Sequence, residues 1–409
     1  MTTMRPKMRS GERRGRWGSR VAGILAIVVA GCLFAAARAE AQTPANSVGL
    51  GLPVPSIDAR AAALGGTGLG LPDGSLSARN PADIALFDQP VLGITYAPEG
   101  VTVKGAEADA STGRSRLGVL RGAVPFDGWA IGVSFAPEFD QDWQVAFTDT
   151  LVSGAGTFPY TEQRTHDGGV SSVNLTAARR LGRLSVGAEY SIITGRLQQR
   201  FRRDFESDIA GDAGTIGSAG GAGDWAYSGS RLRFGLTAAL TDRIHLGGDV
   251  SIENTLTAQR DSIDGIALTR KFDMPVGFEA GASAQVSERL LVTAAGGWKG
   301  WDGSEVGFAD YEASDVTWVG VGAELTGTRL LGADVPLRFG VRRTDLPFHP
   351  AGTEQLSERA ATFGLGVRVA EDRARIDVAF ELGSRGDLAA SGVEESFRRV
   401  SLSLSLFQD

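Results

Sequence analysis

Covalent chemistry needs a nucleophile with a base beside it, and this chain offers little of either. Its three histidines, His166, His245 and His349, stand far apart in sequence, and Cys32 is its one cysteine. Neither His-Glu-x-x-His nor a cysteine cluster at zinc spacing occurs, so no metal site is expected. Gly-x-Ser-x-Gly and the Walker loop are absent too, and "GGTGLG" (65–70) lacks the preceding strand that a dinucleotide site needs. The acidic clusters "DSID" and "DYEASD" carry carboxylates suited to calcium, but a solvated face explains them better. No cofactor is implied. An enzyme is not expected either, because a Ser/His pair would have to sit on the strands described next, where only His245 falls.

What does recur is charge on the polar side of alternating segments. Glu189, Arg231 and Arg233 form one such set, followed by His245, Asp249 and Glu253, and then by Glu279 and Glu324. Arg338, Arg342 and Arg368 continue it, and Arg375, Asp377 and Glu381 close it. In this pattern such residues cannot turn over a substrate, but they can line and cross-brace a polar interior. Each also fits a solvated or paired structural charge.

The elements that carry them alternate with period two. In "RARIDVAFELG" (373–383), Ala374, Ile376, Val378, Phe380 and Leu382 oppose Arg375, Asp377 and Glu381. In "VSLSLSLF" (400–407) Val400 and three leucines oppose three serines. Fourteen such strands are expected, near 91–98, 115–124, 128–137, 169–180, 184–200, 230–241, 244–257, 272–287, 289–300, 315–327, 335–345, 359–370, 372–384 and 397–407. Short connections such as "FDG", "LGR", "TDR" and "SER" alternate with long ones, including 138–168, 201–229, 257–271, 301–314 and 346–358. An even strand count with turns on one rim and loops on the other predicts an all-β, transmembrane antiparallel barrel with the polar face in its lumen. A secreted β-sandwich also alternates, but it has no reason to alternate its connection lengths. Trp129, Trp298 and Trp318 fall near strand ends, where interface girdles collect aromatic rings.

The front of the chain sets the compartment. Seven Arg and Lys against one acid in residues 1–20, the apolar run 21–37 and an Ala-x-Ala site at Ala39 and Ala41 predict a secretory signal over 1–41. A membrane anchor, or lipoprotein processing at Cys32, are the rival readings. Removing residues 1–41 takes eight basic and two acidic side chains from the 41 and 48 of the chain, leaving 33 and 46, a net charge of −13. That argues against a nucleic-acid partner. Glycine is 56 of 409 residues, about twice the ~7% norm, without a low-complexity tract to explain it.

Residues 42–90 do not alternate. "SARNPADIALFDQP" (77–90) reads as a short helix, with Asn80 as N-cap, Pro81 at its first position and Asp83 in its first turn. A non-strand segment ahead of a barrel can fold up into the lumen as a plug, leaving 91–409 as the wall.

Residues 59–96, "ARAAALGGTGLGLPDGSLSARNPADIALFDQPVLGITY", resemble the N-terminal hatch of the FadL-type long-chain fatty acid transporters. The matching positions are Asn80, Pro81, Ala82, Phe87, Asp88 and Pro90. "DARA" (58–61) with "NPA" (80–82) is also similar to PorV-type barrels of that superfamily, which serve secretion rather than uptake. The resemblance implies a small helical hatch inside an outer-membrane barrel of a Gram-negative-type bacterium, with both termini in the periplasm. It implies that extracellular loops capture a hydrophobic small molecule, which moves to a pocket above the hatch and leaves sideways into outer-membrane lipid. Here the loops are Gly-rich and acidic, and only Phe201, Phe205, Trp225, Tyr227, Ile263 and Ile266 are apolar enough to line a groove. A secretion-serving barrel, or a structural barrel without transport, are the alternatives, and outer-membrane assembly machinery is an expected partner in each case.

Overall fold

The computed structural model describes residues 44–408 apart from 106–108, 154–155, 212–213, 264–265, 305–310, 331–332 and 388–392. The leader expected over 1–41 therefore lies outside the described residues.

Fourteen strands form the wall. They are β1 (Val91–Tyr96), β2 (Leu117–Phe126), β3 (Trp129–Asp140), β4 (Gly156–Leu181), β5 (Leu184–Gly211), β6 (Gly214–Ala239) and β7 (Ile244–Glu253). The second half comprises β8 (Gly277–Ser287), β9 (Leu290–Lys299), β10 (Val316–Leu325), β11 (Leu337–Asp345), β12 (Ser357–Val369), β13 (Ala374–Asp387) and β14 (Val393–Phe407). Each pairs antiparallel with its chain neighbour, and β14 returns to β1 from Val91↔Phe407 to Tyr96↔Leu402. The sheet is closed, with no edge left to pair with another chain.

Period two decides which side chains meet lipid. On β14, Ser401, Ser403 and Ser405 are buried, while Leu404 and Leu406 are 38% and 46% exposed. Leu92, Ile131, Val133, Leu175, Phe234, Val321 and Phe339 stand exposed in the same way around the outside. So large an apolar surface is stable only with hydrocarbon as its solvent. No described helix is long and apolar enough to cross a membrane. The tight turn between β2 and β3 uses Asp127 and Gly128, both at positive φ, the geometry that matches a hairpin's twist. Of the expected girdle, Trp129 faces outward beneath the Arg179 guanidinium, whereas Trp318 is turned inward and buried.

The connections expected at 138–168, 201–229 and 257–271 are not loops. The strands β4, β5 and β6 run on for 26, 28 and 26 residues, and the segments Trp143–Ser153, Leu256–Ile263 and Ile266–Phe272 add further pairing. Pairing satisfies the backbone beyond the bilayer, while no hydrocarbon demands an apolar outer face there, so the sequence loses its strict alternation.

The segment before β1 fills the lumen. It comprises α1 (Pro44–Ser47), a two-residue strand Leu52–Pro53, α2 (Ala59–Ala63) and a 3-10 turn, Pro81–Leu86. Asp58 caps α2 through Ala61 N–H (2.8 Å), and the same carboxylate accepts from Leu76 N–H (2.9 Å) and Ser75 Oγ (3.2 Å). Glycines in the wall let this segment approach as backbone against backbone. A Cβ on Gly187 would meet the Pro81 carbonyl carbon at 2.5 Å, and one on Gly340 would overlap Leu64 and Gly65. The two described chain ends stand at opposite rims. Gln408 N–H donates to Pro90 O beside the short turns, whereas Asn46 donates to Asp142 O at the far end of β3. The expectation that both termini share one rim therefore does not hold for the described residues.

Candidate functional site

Strand β3 breaks away from β2. Their pairing runs from Phe126↔Trp129 only to Leu120↔Phe135, and the register of β3 against β4 shifts between Pro137 and Phe139. Proline lacks the N–H a ladder needs, so the strand bends there. Beyond it the hatch takes over the vacated edge. Leu52 pairs with Asp140, Pro53 with Phe139, and Val54 N–H donates to Glu138 O at 2.9 Å. Ala78 of the hatch packs between Val119 of β2 and Ala136 of β3. Arg116 and Arg114 reach Asp140 at 2.9 and 3.6 Å. The wall thus carries a seam closed by hatch backbone and by two arginines on one carboxylate.

Beside the seam lies a cavity of about 150 Å³ above the hatch. Ile57, Phe139, Trp301, Val316, Trp318 and Leu346 give it an apolar wall, and Arg79, Arg233, Asp249, Glu279 and Lys299 give it a polar one. A second cavity, of about 400 Å³, opens among the tall hairpins and is lined by Trp143, Phe147, Trp225, Tyr227, Phe272 and Tyr311 together with Arg164, His166 and Arg270. The two share one apolar cluster, in which Val48, Leu50 and Phe348 border neither cavity and stand between them. The rings of Phe139, Trp301 and Phe348 pack mutually at 5.0–6.1 Å, tilted or edge-on, which makes a three-ring septum.

The groove residues expected from sequence divide. Trp225 and Tyr227 are buried on the inner face of β6 and line the outer cavity. Phe201 is exposed and borders a separate, arginine-rich depression, and Phe205 packs edge-on against Tyr160, so these two do not join them. The side chains of Ile263 and Ile266 lie outside the described residues.

The lumen charges pair densely. Glu324 accepts from Arg60 of the hatch (3.0 Å twice) and from Arg338 (2.6 Å), which also reaches Asp377 (2.7 Å). Arg375 meets Asp377 at 2.7 Å, and Arg342 bridges Glu358 and Glu381, each at 2.6 Å. Arg233 donates to Glu189 (3.1 Å), Arg231 binds Glu138 (2.7 and 3.0 Å), and Glu253 lies within 3.7 Å of Arg231 and 3.6 Å of Lys299. Glu279 takes Arg79 at 3.4 Å and the Trp318 N–H at 3.0 Å. His245 is half-buried opposite Ser283, and Arg368, on the same inward face by register, is exposed at the short-turn rim. Sequence reading missed Arg385 and Arg399, which join Glu99, Glu358 and Glu381 into the same braced wall. Their parity with Glu381 and with Ser401 to Ser405 was the available signal. Glu99 and Arg114 face each other across the hairpin of Glu99–Gly105 and Asp109–Arg114, and only Asp140 is brought to them by the β3 bend.

The hatch motif meets the wall as a cap does. Asn80 accepts from Ala82 N–H (2.9 Å) and donates to Leu236 O (2.9 Å) and Thr237 Oγ1 (3.1 Å), while Pro81 and Ala82 are buried. Phe87 is half-buried near Leu76 and Ile84, Asp88 is exposed 3.4 Å from Arg180, and Pro90 O receives the last strand's Gln408. Asp83 is fully enclosed, and burial pushes its carboxyl up to about 7 against the opposing pull of Arg121. Among the described residues no group of His, Cys, Asp or Glu is arranged to hold a metal ion.

A closed fourteen-strand antiparallel barrel is shared with solved structures. The Pseudomonas putida toluene transporter TodX superposes with a TM-score of 0.54 at 17% identity, over 87% of this chain and 98% of that one. The fold is that of the FadL-type outer-membrane transporters. The Ralstonia pickettii toluene transporter TbuX (TM-score 0.58, 15% identity, 87% and 99% covered) shares this FadL-type architecture. So does a Pseudomonas aeruginosa FadL homologue (0.59, 15%, 87% and 98%). A family model described as BamG matches residues 248–409, strands β8 to β14 of the barrel together with the end of β7. No curated protein matches the chain. A FadL-type barrel with this outer belt is an outer-membrane protein.

Proposed function

We propose that this chain is an outer-membrane passage for small hydrophobic compounds, with residues 42–90 as its hatch and 91–409 as its barrel. A solute enters the aromatic cavity among the tall hairpins, passes the septum of Phe139, Trp301 and Phe348, rests above the hatch and leaves through the β2–β3 seam into lipid. The observation that carries this reading is the continuity of one apolar cluster from the outer cavity to a chamber beside that seam. An apolar solute gains by moving along such a wall and out into hydrocarbon, and gains nothing from an aqueous pore. The names of TodX and TbuX as toluene transporters favour it further. In this reading the long-hairpin rim faces outside, and no covalent chemistry is involved.

The BamG match over 248–409 supports a second reading, a barrel that attends assembly or secretion machinery. One experiment addresses both. Cysteines placed at Val119 and Ala136, joined by a short thiol-reactive bridge, should abolish the acceleration of toluene uptake that the protein confers on cells, and reduction should restore it. Uptake unaffected by the bridge would refute the lateral route. A chain that confers no uptake at all, but whose loss depletes other outer-membrane proteins, would favour the second reading.

A further inference from the structure

The chamber above the hatch holds two buried polar atoms that make no hydrogen bond. Asp249 on β7 and Arg233 on β6 both line it, with Arg233 Nε 3.5 Å from Asp249 Oδ2. Asp249 Oδ1 has no hydrogen-bond partner, and neither has Arg233 Nε, although the Asp249 side chain is only 4% exposed. Their neighbours are engaged elsewhere. Arg233 Nη1 is spent on Ala78 O (2.8 Å) and Glu189 (3.1 Å). Glu279, directly across from Asp249 in register, holds Arg79 and Trp318. Buried acceptors and donors left empty are costly, more so when charged, so such a pair favours whatever completes it.

We infer that the chamber is a binding site for one small ring bearing a hydroxyl group, a compound of the phenol class. This rests on the passage reading and narrows it. A hydroxyl is the group that fits, because its O–H donates to Asp249 Oδ1 while its oxygen accepts from Arg233 Nε. An amine would leave Arg233 Nε empty. A carboxylate would bring a negative charge beside Asp249 and Glu279. Size sets the rest, since a cavity of about 150 Å³ is enough for one benzene ring and far too small for a long acyl chain. Phe139, Trp301 and Trp318 offer that ring faces and edges to pack on.

Titrations of the purified full-length barrel, followed by tryptophan fluorescence, test this with toluene, 4-methylanisole and 4-methylphenol. The phenol is the least hydrophobic of the three, so burial alone ranks it last. We expect it to bind about tenfold tighter than either analogue, because the ether oxygen can accept but cannot donate. In Asp249→Ala the phenol should fall to the level of toluene, provided the variant keeps the wild-type heat-modifiable band. Equal binding of all three by the wild type would overturn the hydroxyl site and leave the passage reading standing. It would mean that water alone completes the pair. Binding of none of them would overturn the site, and unaccelerated toluene uptake by cells would then take the passage with it.

Discussion

Asp83 carries the sharpest consequence at the scale of one residue. It is 1% exposed in the 3-10 turn of the hatch, where one carboxyl oxygen accepts from Thr237 (3.1 Å) and the other has no partner. Burial raises its pKa from the ordinary carboxylate range to about 7, so the folded hatch prefers the neutral acid. A group raised on folding contributes its full stability below the unfolded pKa and loses it as pH climbs through the folded one. The hatch should therefore be held most firmly near pH 4 and loosen progressively up to about pH 7. Amide exchange of residues 82–85, corrected for intrinsic rates, measures this directly. Asp83→Asn should flatten the dependence and leave the turn protected at pH 8. An identical pH slope in the variant would show that another group controls the seat.

At the scale of elements, the plug and the wall meet through backbone contacts that only glycine permits. Gly340→Val on β11 should force Leu64 and Gly65 away, since the inserted side chain overlaps their backbone, while the strand itself accepts valine readily. The expected result is a barrel that still shifts with heating on gels but shows raised ion conductance in planar bilayers. Wild-type conductance would mean that the hatch is held by its other contacts alone. Much of this architecture is legible in the alternation. Every one of the fourteen strands falls where period two places it, because inside the bilayer one face meets hydrocarbon and the other charge. Toward the tips of the tall hairpins neither face is buried, so "GSAGGAG" at 217–223 reads as loop although it is strand. Asn80 and Pro81 announce their cap because capping is a local event, and the turn proves to be 3-10 rather than α. The septum is beyond sequence reading, for Phe139 at the end of β3, Trp301 and Phe348 lie far apart in the chain and meet only through the fold.

For the molecule as a whole, the two rims differ, and their orientation is open to a direct check. Cys32 is the sole cysteine and belongs to the expected leader, so introduced thiols report without background. Ser218→Cys on the tall rim should react with an impermeant reagent on intact cells, and Gly182→Cys on the short-turn rim should react only after lysis. The reverse pattern would invert the barrel. The seat of α2 also bears on the order of events during biogenesis. The Ala59 N–H donates to Ser403 Oγ (2.8 Å), and that hydroxyl bonds Thr95 Oγ1 (2.7 Å) on the opposite side of the β1–β14 junction. The site that receives the N-terminal helix is thus made by the first strand and the last, whose hydroxyls come together only when the cylinder shuts. Contacts separated by more than 300 residues form late. A nascent sheet with β14 still unpaired has no completed seat for the helix, so plugging cannot precede closure, and the barrel has no stage at which it is plugged but still open.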